Sequence, residues 1–454
     1  MNFGKATNIG DHWQLFILMY AAIGAFASVL SHRGLSVFHD GLRPLMGSYR
    51  NGDVPQKEVS RTSFRLGWGF LWGFGIPYSL GNVIPLAYMI FMASDWIGVS
   101  VPYEVDSKIN LRSLRYMALA ALYGAFWGIG AGALVHFVNV GFSNLRINMS
   151  EPAQFLALPT TGAYFLFAIM TIAYHYGYGK AGFALLASSL IWYGTSTWKL
   201  GSSSVWSFAV ATAFLLFYLV LETRNRNSKK VVATYAWAIS DVEGDSEEDE
   251  IFSNNAKRIQ KWIVPLSLFA ALTGAAYNLG WMSKDPISAL LYQKGMALPA
   301  ALVLFSWAFA FIPMKFTTAV VTGCMASGTF LDQGLAMLMP NAWVAAVTVG
   351  IMRIIEILLL IKIVRMLEKF PTIREVADVM RTAIFHVMEI GFLIGGALAA
   401  AKYAGEFGLA IVIFAWFINS RKNNPVMPMS LGALSALGIG LFVNLLSAIG
   451  FHIV

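Results

Sequence analysis

The sequence predicts an all-α, polytopic integral membrane protein with about 10–14 transmembrane or re-entrant helices. Of its 454 residues, 57% are hydrophobic and only 12% are charged, whereas a soluble chain carries roughly a quarter charged residues. Apolar runs of about 17–25 residues, the length that crosses a bilayer as a helix, recur from end to end. The cations behind the formal charge of +8 fall in short loops between these runs rather than on one basic face. That is the positive-inside pattern, and it leaves nucleic acid out as a partner.

The first run covers 13–31. Its Ala25-Phe26-Ala27 looks like a signal-peptidase site, but only Lys5 precedes the apolar core, while Arg33, Arg43, Arg50, Lys57, Arg61 and Arg65 follow it. An uncleaved helix with its N-terminus outside is therefore expected. Residues 35–60 then form a cytoplasmic segment. Spans are expected at 63–80, 83–100, 114–138, 155–177, 181–198 and 204–222, with Pro77 interrupting the junction of the second and third. The stretch 224–260 opens basic and turns acidic at 241–250, which reads as a solvated cytoplasmic linker, with a docking site for a soluble partner as the alternative.

The second half follows the same style, with runs at 261–281, 297–314, 316–339, 342–366, 383–403, 407–419 and 429–451. The division is thus a transmembrane half at 1–223, a linker at 224–260 and a second transmembrane half at 261–454. Seven runs before the linker and seven after it give the halves opposite senses in the bilayer, the plan of an inverted-topology repeat. Pro77 and Pro313 occupy corresponding places. The pieces 83–100, 297–314 and 407–419 are short enough to be re-entrant. Both termini fall outside a cell (inner or plasma) membrane.

The stretch 31–44 places two His, two Arg and an Asp beside the first span. Its cations suffice as a topological anchor. The core Phe38-His39-Asp40-Gly41 is unexplained by anchoring, and His39, Asp40 and Arg43 are candidates for a polar latch. This stretch, with His32-Arg33 and Val37-Phe38-His39-Asp40-Gly41-Leu42-Arg43-Pro44, resembles the signature of the YhfT family of bacterial inner-membrane proteins. Further points of likeness are Ser94-Asp95-Trp96-Ile97-Gly98, the run from Asn341 to Glu356, Phe370-Pro371 and Met388-Glu389. The resemblance implies a polytopic protein engaged in transport, and it brings no substrate and no site residue with it.

Ionisable groups inside apolar runs are costly and usually face a cavity or a partner. Glu356 lies deep in its run, with Arg353 three residues earlier on the same helix face. His386 and Glu389 share a face as H-x-x-E, a spacing suited to proton relay. With no second such pair, no metal is expected. Asp95 fits either a pathway or a helix end. Near the prolines, Tyr78, Asn82, Lys315, Thr317 and Thr318 are pathway candidates. The Thr hydroxyls equally satisfy their own backbone, and Lys315 either snorkels or meets an anionic substrate. The single Cys324 excludes an intramolecular disulfide. No Walker loop, dinucleotide fingerprint, zincin motif or nucleophile elbow is visible, so neither an enzyme nor a cofactor is expected.

The leading expectation is a permease for a small-molecule solute, secondary-active and coupled to a proton or sodium ion through Glu356 and Glu389. Its partners are then the lipid bilayer, the solute and the coupling ion, with a homodimer left open. The alternatives are a phosphotransferase-type membrane component with soluble partners, and a non-transporting scaffold or enzyme subunit.

Overall fold

The computed structural model describes residues 4–39, 41–82, 84–102, 109–199, 203–225, 245–326 and 328–451, with backbone alone at 82, 225 and 245–249. Helices account for most of the described residues, among which there is no strand and only two isolated bridges. The first half runs α1 (Trp13–His32), α2 (Arg43–Asn51), α3 (Gln56–Phe70), a π turn at Leu71–Gly75, α4 (Ile76–Asn82), α5 (Tyr88–Ser100) and α6 (Leu111–Ser143). It continues with α7 (Ser150–Ala153), α8 (Leu158–Ala163), α9 (Leu166–Tyr176), α10 (Tyr178–Thr197) and α11 (Ser203–Asn225). The second half runs α12 (Asp245–Gln260), α13 (Ile263–Asn278), α14 (Pro286–Gln293), α15 (Ala297–Thr322), α16 (Phe330–Leu338) and α17 (Ala342–Leu358). It closes with α18 (Leu360–Lys369), α19 (Pro371–Arg421) and α20 (Pro428–Ala448).

Six of these helices are long and apolar enough to cross a membrane, or up to nine if each bent pair is one span. The chain is therefore a multi-pass membrane protein. Several of the expected spans prove shorter than a bilayer. At 1.5 Å per residue, the 13 residues of α5 and the nine of α16 reach well under the ~30 Å hydrocarbon core. Each begins within the protein after an extended segment.

The halves share one plan. Helix α1 packs on α5 and α6, and α13 packs on α16 and α17 in the same way. Both first helices end on a left-handed glycine, Gly34 (φ 60°) and Gly280 (φ 69°). In the first, Gly34 N–H donates to Ser31 and Leu35 N–H to Leu30; in the second, Gly280 donates to Tyr277 and Trp281 to Ala276. These are two copies of one Schellman turn, which a Cβ would strain. The two helices run antiparallel. Tyr20, early in α1, bonds the carbonyl of Trp281 beyond the end of α13, and Arg33, after α1, lies over the Trp262 ring that precedes α13. Corresponding helices of opposite sense make this an inverted repeat.

The extended segments cross between repeats. Met325 N–H donates to Leu35 at 2.8 Å, Ala87 N–H to Ser283 at 2.6 Å, and Ser283 N–H to Pro85 at 3.1 Å. The segment after each first helix thus pairs with the segment before the other repeat's half-helix. These segments, rather than the prolines, are the breaks. Pro77 lies just after the π turn, where a regular hydrogen-bond ladder is already interrupted. Pro313 lies inside an uninterrupted α15, which joins the expected runs 297–314 and 316–339 as far as Thr322.

Two outer groups of helices complete the halves: α8 to α11 in the first, and α19 with α20 in the second. Gly177 (φ 96°) turns the chain between α9 and α10, as Gly405 (φ 57°) kinks α19 between the expected runs 383–403 and 407–419. The last part of the expected linker is also helical. Asn255 on α12 donates to Val320 at 2.7 Å, and Arg258 donates to Gly323 at 2.7 Å and to Arg33 at 2.8 Å. So α12 satisfies carbonyls that the ends of α15 and α1 leave open.

Candidate functional site

The crossing segments and α15 surround a cavity of about 1070 Å³. Two side chains from the half-helices fix its walls. Asp95 on α5, 1% exposed, accepts the amides of Phe38 (2.9 Å) and His39 (2.9 Å). In the second repeat Gln333 on α16 accepts the Lys284 amide at 2.8 Å and donates to Ser283 Oγ at 2.7 Å. His39 and Lys284 are thereby held at related positions, and both line the cavity. Burial and the nearby Arg43 charge push the His39 imidazole down to about 4. It is neutral at physiological pH, and its Nδ1 accepts the Gly41 amide at 3.1 Å.

Behind one wall lies a buried charge cluster. Lys315 Nζ meets Glu356 Oε1 at 2.5 Å, Arg353 meets Glu356 Oε2 at 3.0 Å, and Arg353 meets Asp332 Oδ2 at 2.6 Å. Two cations and two carboxylates balance, as charges removed from water must. Arg353 also donates to the Ala326 carbonyl at 3.0 Å, and Asp332 closes a capping box with Thr329. The cluster therefore ties α15, α16 and α17 to the segment that crosses into the first repeat.

Among the sequence candidates, His39, Arg43, Lys315, Thr317 and Thr318 line the cavity. The two threonines donate to the Pro313 and Met314 carbonyls at 2.8 and 2.6 Å. Tyr78 is buried and donates to Met429 at 2.9 Å. His386 is exposed and shares a hydrogen bond with Tyr174 on α9 at 2.9 Å. Glu389 is half-buried on the same helix, whose Phe385 and Met388 are the residues that reach the cavity. Asp40 and the Asn82 side chain lie outside the described residues.

Sequence reading missed Lys284, Asp285, Arg374 and Arg381, which also line the cavity. All four lie between the apolar runs, at 282–296 and 367–382, where a charged residue carries no signal of burial. Asp332 carries a readable signal, the T-x-x-D spacing of a capping box. Away from the cavity, His175, Glu222 and Glu375 bring three ligand-type atoms within 4.8 Å of one another, and the His175–Glu222 hydrogen bond of 2.9 Å accounts for two of them.

The profile of the YhfT family, described as a protein of unknown function, matches residues 16–452. The chain belongs to the YhfT family. It is similar to the uncharacterized protein YhfT of Escherichia coli (strain K12), 25% identical over 452 residues, which cover 96% of this chain and 98% of the relative. No solved structure matches the fold.

Proposed function

We propose that the protein is a secondary-active permease for a small solute, with its site in the cavity between the crossed repeats. The observation that carries this reading is the reciprocal pairing of the extended segments, which brings two half-helices and their breaks to one central space. Backbone freed at membrane depth must face protein or a water-filled cavity, and inverted repeats with such breaks are a common plan of secondary transporters. A cavity of this volume, walled by aromatic side chains and by several charged ones, suits a solute-sized ligand.

Coupling falls to Glu356. Its partner Lys315 faces the cavity, so a change in the solute site reaches the carboxylate through one ion pair. Glu389 is the second coupling candidate, on grounds of partial burial alone. Orientation follows the loop cations: both termini outside the inner membrane, with 224–260 in the cytoplasm.

Proteoliposomes of the full chain, exposed to a mixed library of labelled solutes with and without imposed proton or sodium gradients, test the reading. Gradient-dependent accumulation of one solute is the expected result. A folded, reconstituted protein that moves nothing would favour a scaffold, and movement only with added soluble phosphotransfer proteins would favour the phosphotransferase-type component. An impermeant thiol reagent on a Ser246→Cys, Cys324→Ser variant tests the orientation, and labelling of intact cells would reverse it.

A further inference from the structure

The cavity's charges are unevenly shared. Among the described residues that line it, Arg43, Lys284, Lys315, Arg374 and Arg381 are cationic, and Asp285 is the one carboxylate. That carboxylate is already committed: it accepts the Ser288 amide at 2.6 Å and the Trp307 indole at 3.3 Å. The other deep acids turn elsewhere. Asp95 holds the backbone of the 38–39 segment, and Asp332 and Glu356 answer Arg353 and Lys315.

Lys284 differs from the other deep cations. Among the described residues its ammonium lies 4.8 Å from the Phe330 ring centre and 5.9 Å from that of Tyr88, and it meets no carboxylate. Aromatic faces supply part of what water would give a cation, but not a counter-charge. The positive charges of Arg43, Lys315 and Arg353 act on it across the same space, against the attraction of the Asp332 carboxylate. Its backbone amide is held by Gln333, which fixes the point from which the side chain enters the cavity. Beside it the Trp307 and Phe330 rings stack at 5.1 Å, with Phe311 at 5.7 Å from Phe330.

Resting on the permease reading of this cavity, we propose that its occupant is a small water-soluble organic acid. Its carboxylate or phosphate group sits against the Lys284 ammonium, and its body lies along the Trp307–Phe330 wall. An acid group relieves the like-charge repulsion and forms a charge-assisted hydrogen bond where the protein offers none. A cationic solute would add to the repulsion. The volume of about 1070 Å³ leaves room for a solute of modest size with its waters.

Thermal melting of the full chain in detergent, titrated with benzoate, phenyl phosphate, benzamide and benzylamine, tests the assignment. The two acids should raise the melting temperature saturably, and the neutral and cationic analogues should not. Lys284→Met should weaken the acid response at least about tenfold, while Lys284→Arg keeps it. Without ligand, Lys284→Met should melt no lower than wild type, since it removes a desolvated charge; a merely structural lysine would give a lower melting point. Equal responses to benzoate and benzamide, or an undiminished response in Lys284→Met, would overturn the proposal. So would loss of the benzoate response in nanodiscs containing anionic lipid, which would give the site to a lipid headgroup. Acid binding without flux in proteoliposomes would remove the permease reading and leave the ligand class. Flux of a neutral solute indifferent to Lys284 would do the reverse.

Discussion

The amide of Met325 donates to the carbonyl of Leu35 at 2.8 Å, joining the end of the first repeat's leading helix to the approach of the second repeat's half-helix. The neighbouring Ser36 and Met325 stand opposite each other in a parallel bridge, both fully buried. Cysteines at Ser36 and Met325, in a Cys324→Ser background, are therefore within disulfide reach. After proteolysis within 226–244, the two halves should migrate as one species until reduced. Separation without reductant, under oxidising conditions that cross-link control pairs, would contradict the crossing.

Glu356 answers two cations, so its neutralisation should cost more than a coupling function. In the buried cluster, with side chains of Lys315 and Glu356 only 5% and 3% exposed, removing one partner strands a charge at a cost of about 3–5 kcal/mol. The double change Lys315→Gln with Glu356→Gln restores balance and should recover much of that loss. A melting-based double-mutant cycle measures it, and strict additivity would show that the pair is not coupled.

Asp95 accepts two successive amides on Oδ2, each at 2.9 Å, while its Oδ1 lies 3.1 Å from the Phe38 amide and 3.3 Å from the Ser31 hydroxyl. Asp95→Asn keeps the volume but retains one good acceptor, and it should destabilise by about 1–3 kcal/mol. Asp95→Ala should cost more. Faster amide exchange at Phe38 and His39 in the variants, read by mass spectrometry, would locate the effect at that segment; unchanged protection would place Asp95's role elsewhere.

His39 gives a pH dependence of fixed sign. The folded protein keeps its imidazole neutral down to about 4, against an ordinary value of 6.5. The unfolded chain takes up the proton first, so this stabilisation is complete above pH 6.5 and is lost as pH falls toward about 4. His39→Asn retains an acceptor for the Gly41 amide without a titrating group. Wild type should lose more melting temperature than this variant between about pH 7 and pH 4.5. Parallel losses would mean His39 is more hydrated than its burial implies.

Much of the architecture was legible. Apolar length and loop cations placed all fourteen runs on helices, because helices are the way an isolated segment satisfies its backbone in lipid. Composition does not separate a span from a half-helix, and α5 and α16 are as apolar as true spans. Where a run ends is decided by partners distant in sequence: Asp95 for the segment after α1, Gln333 for the one after α13. Glu356 with Arg353 and Lys315 was visible because charges in apolar runs stand out. Lys284 was not, because it lies in a polar connection, where a lysine is unremarkable until the chain folds inward. His386 and Glu389 were singled out by spacing, but helix phase turns Phe385 and Met388 to the cavity instead.

The Leu35–Met325 bond also fixes a schedule for biogenesis. Its partners are separated by roughly 290 residues, and at about 5–20 residues per second the ribosome needs roughly 15–60 s to span that gap. For that interval the first repeat resides in the bilayer with the carbonyl of Leu35 still waiting for its donor, and the cavity has only one of its two sides. Insertion and completion are thus separate events in this protein. Slowing translation beyond Asn278 should lengthen the life of a half-built intermediate that membrane proteases can sample.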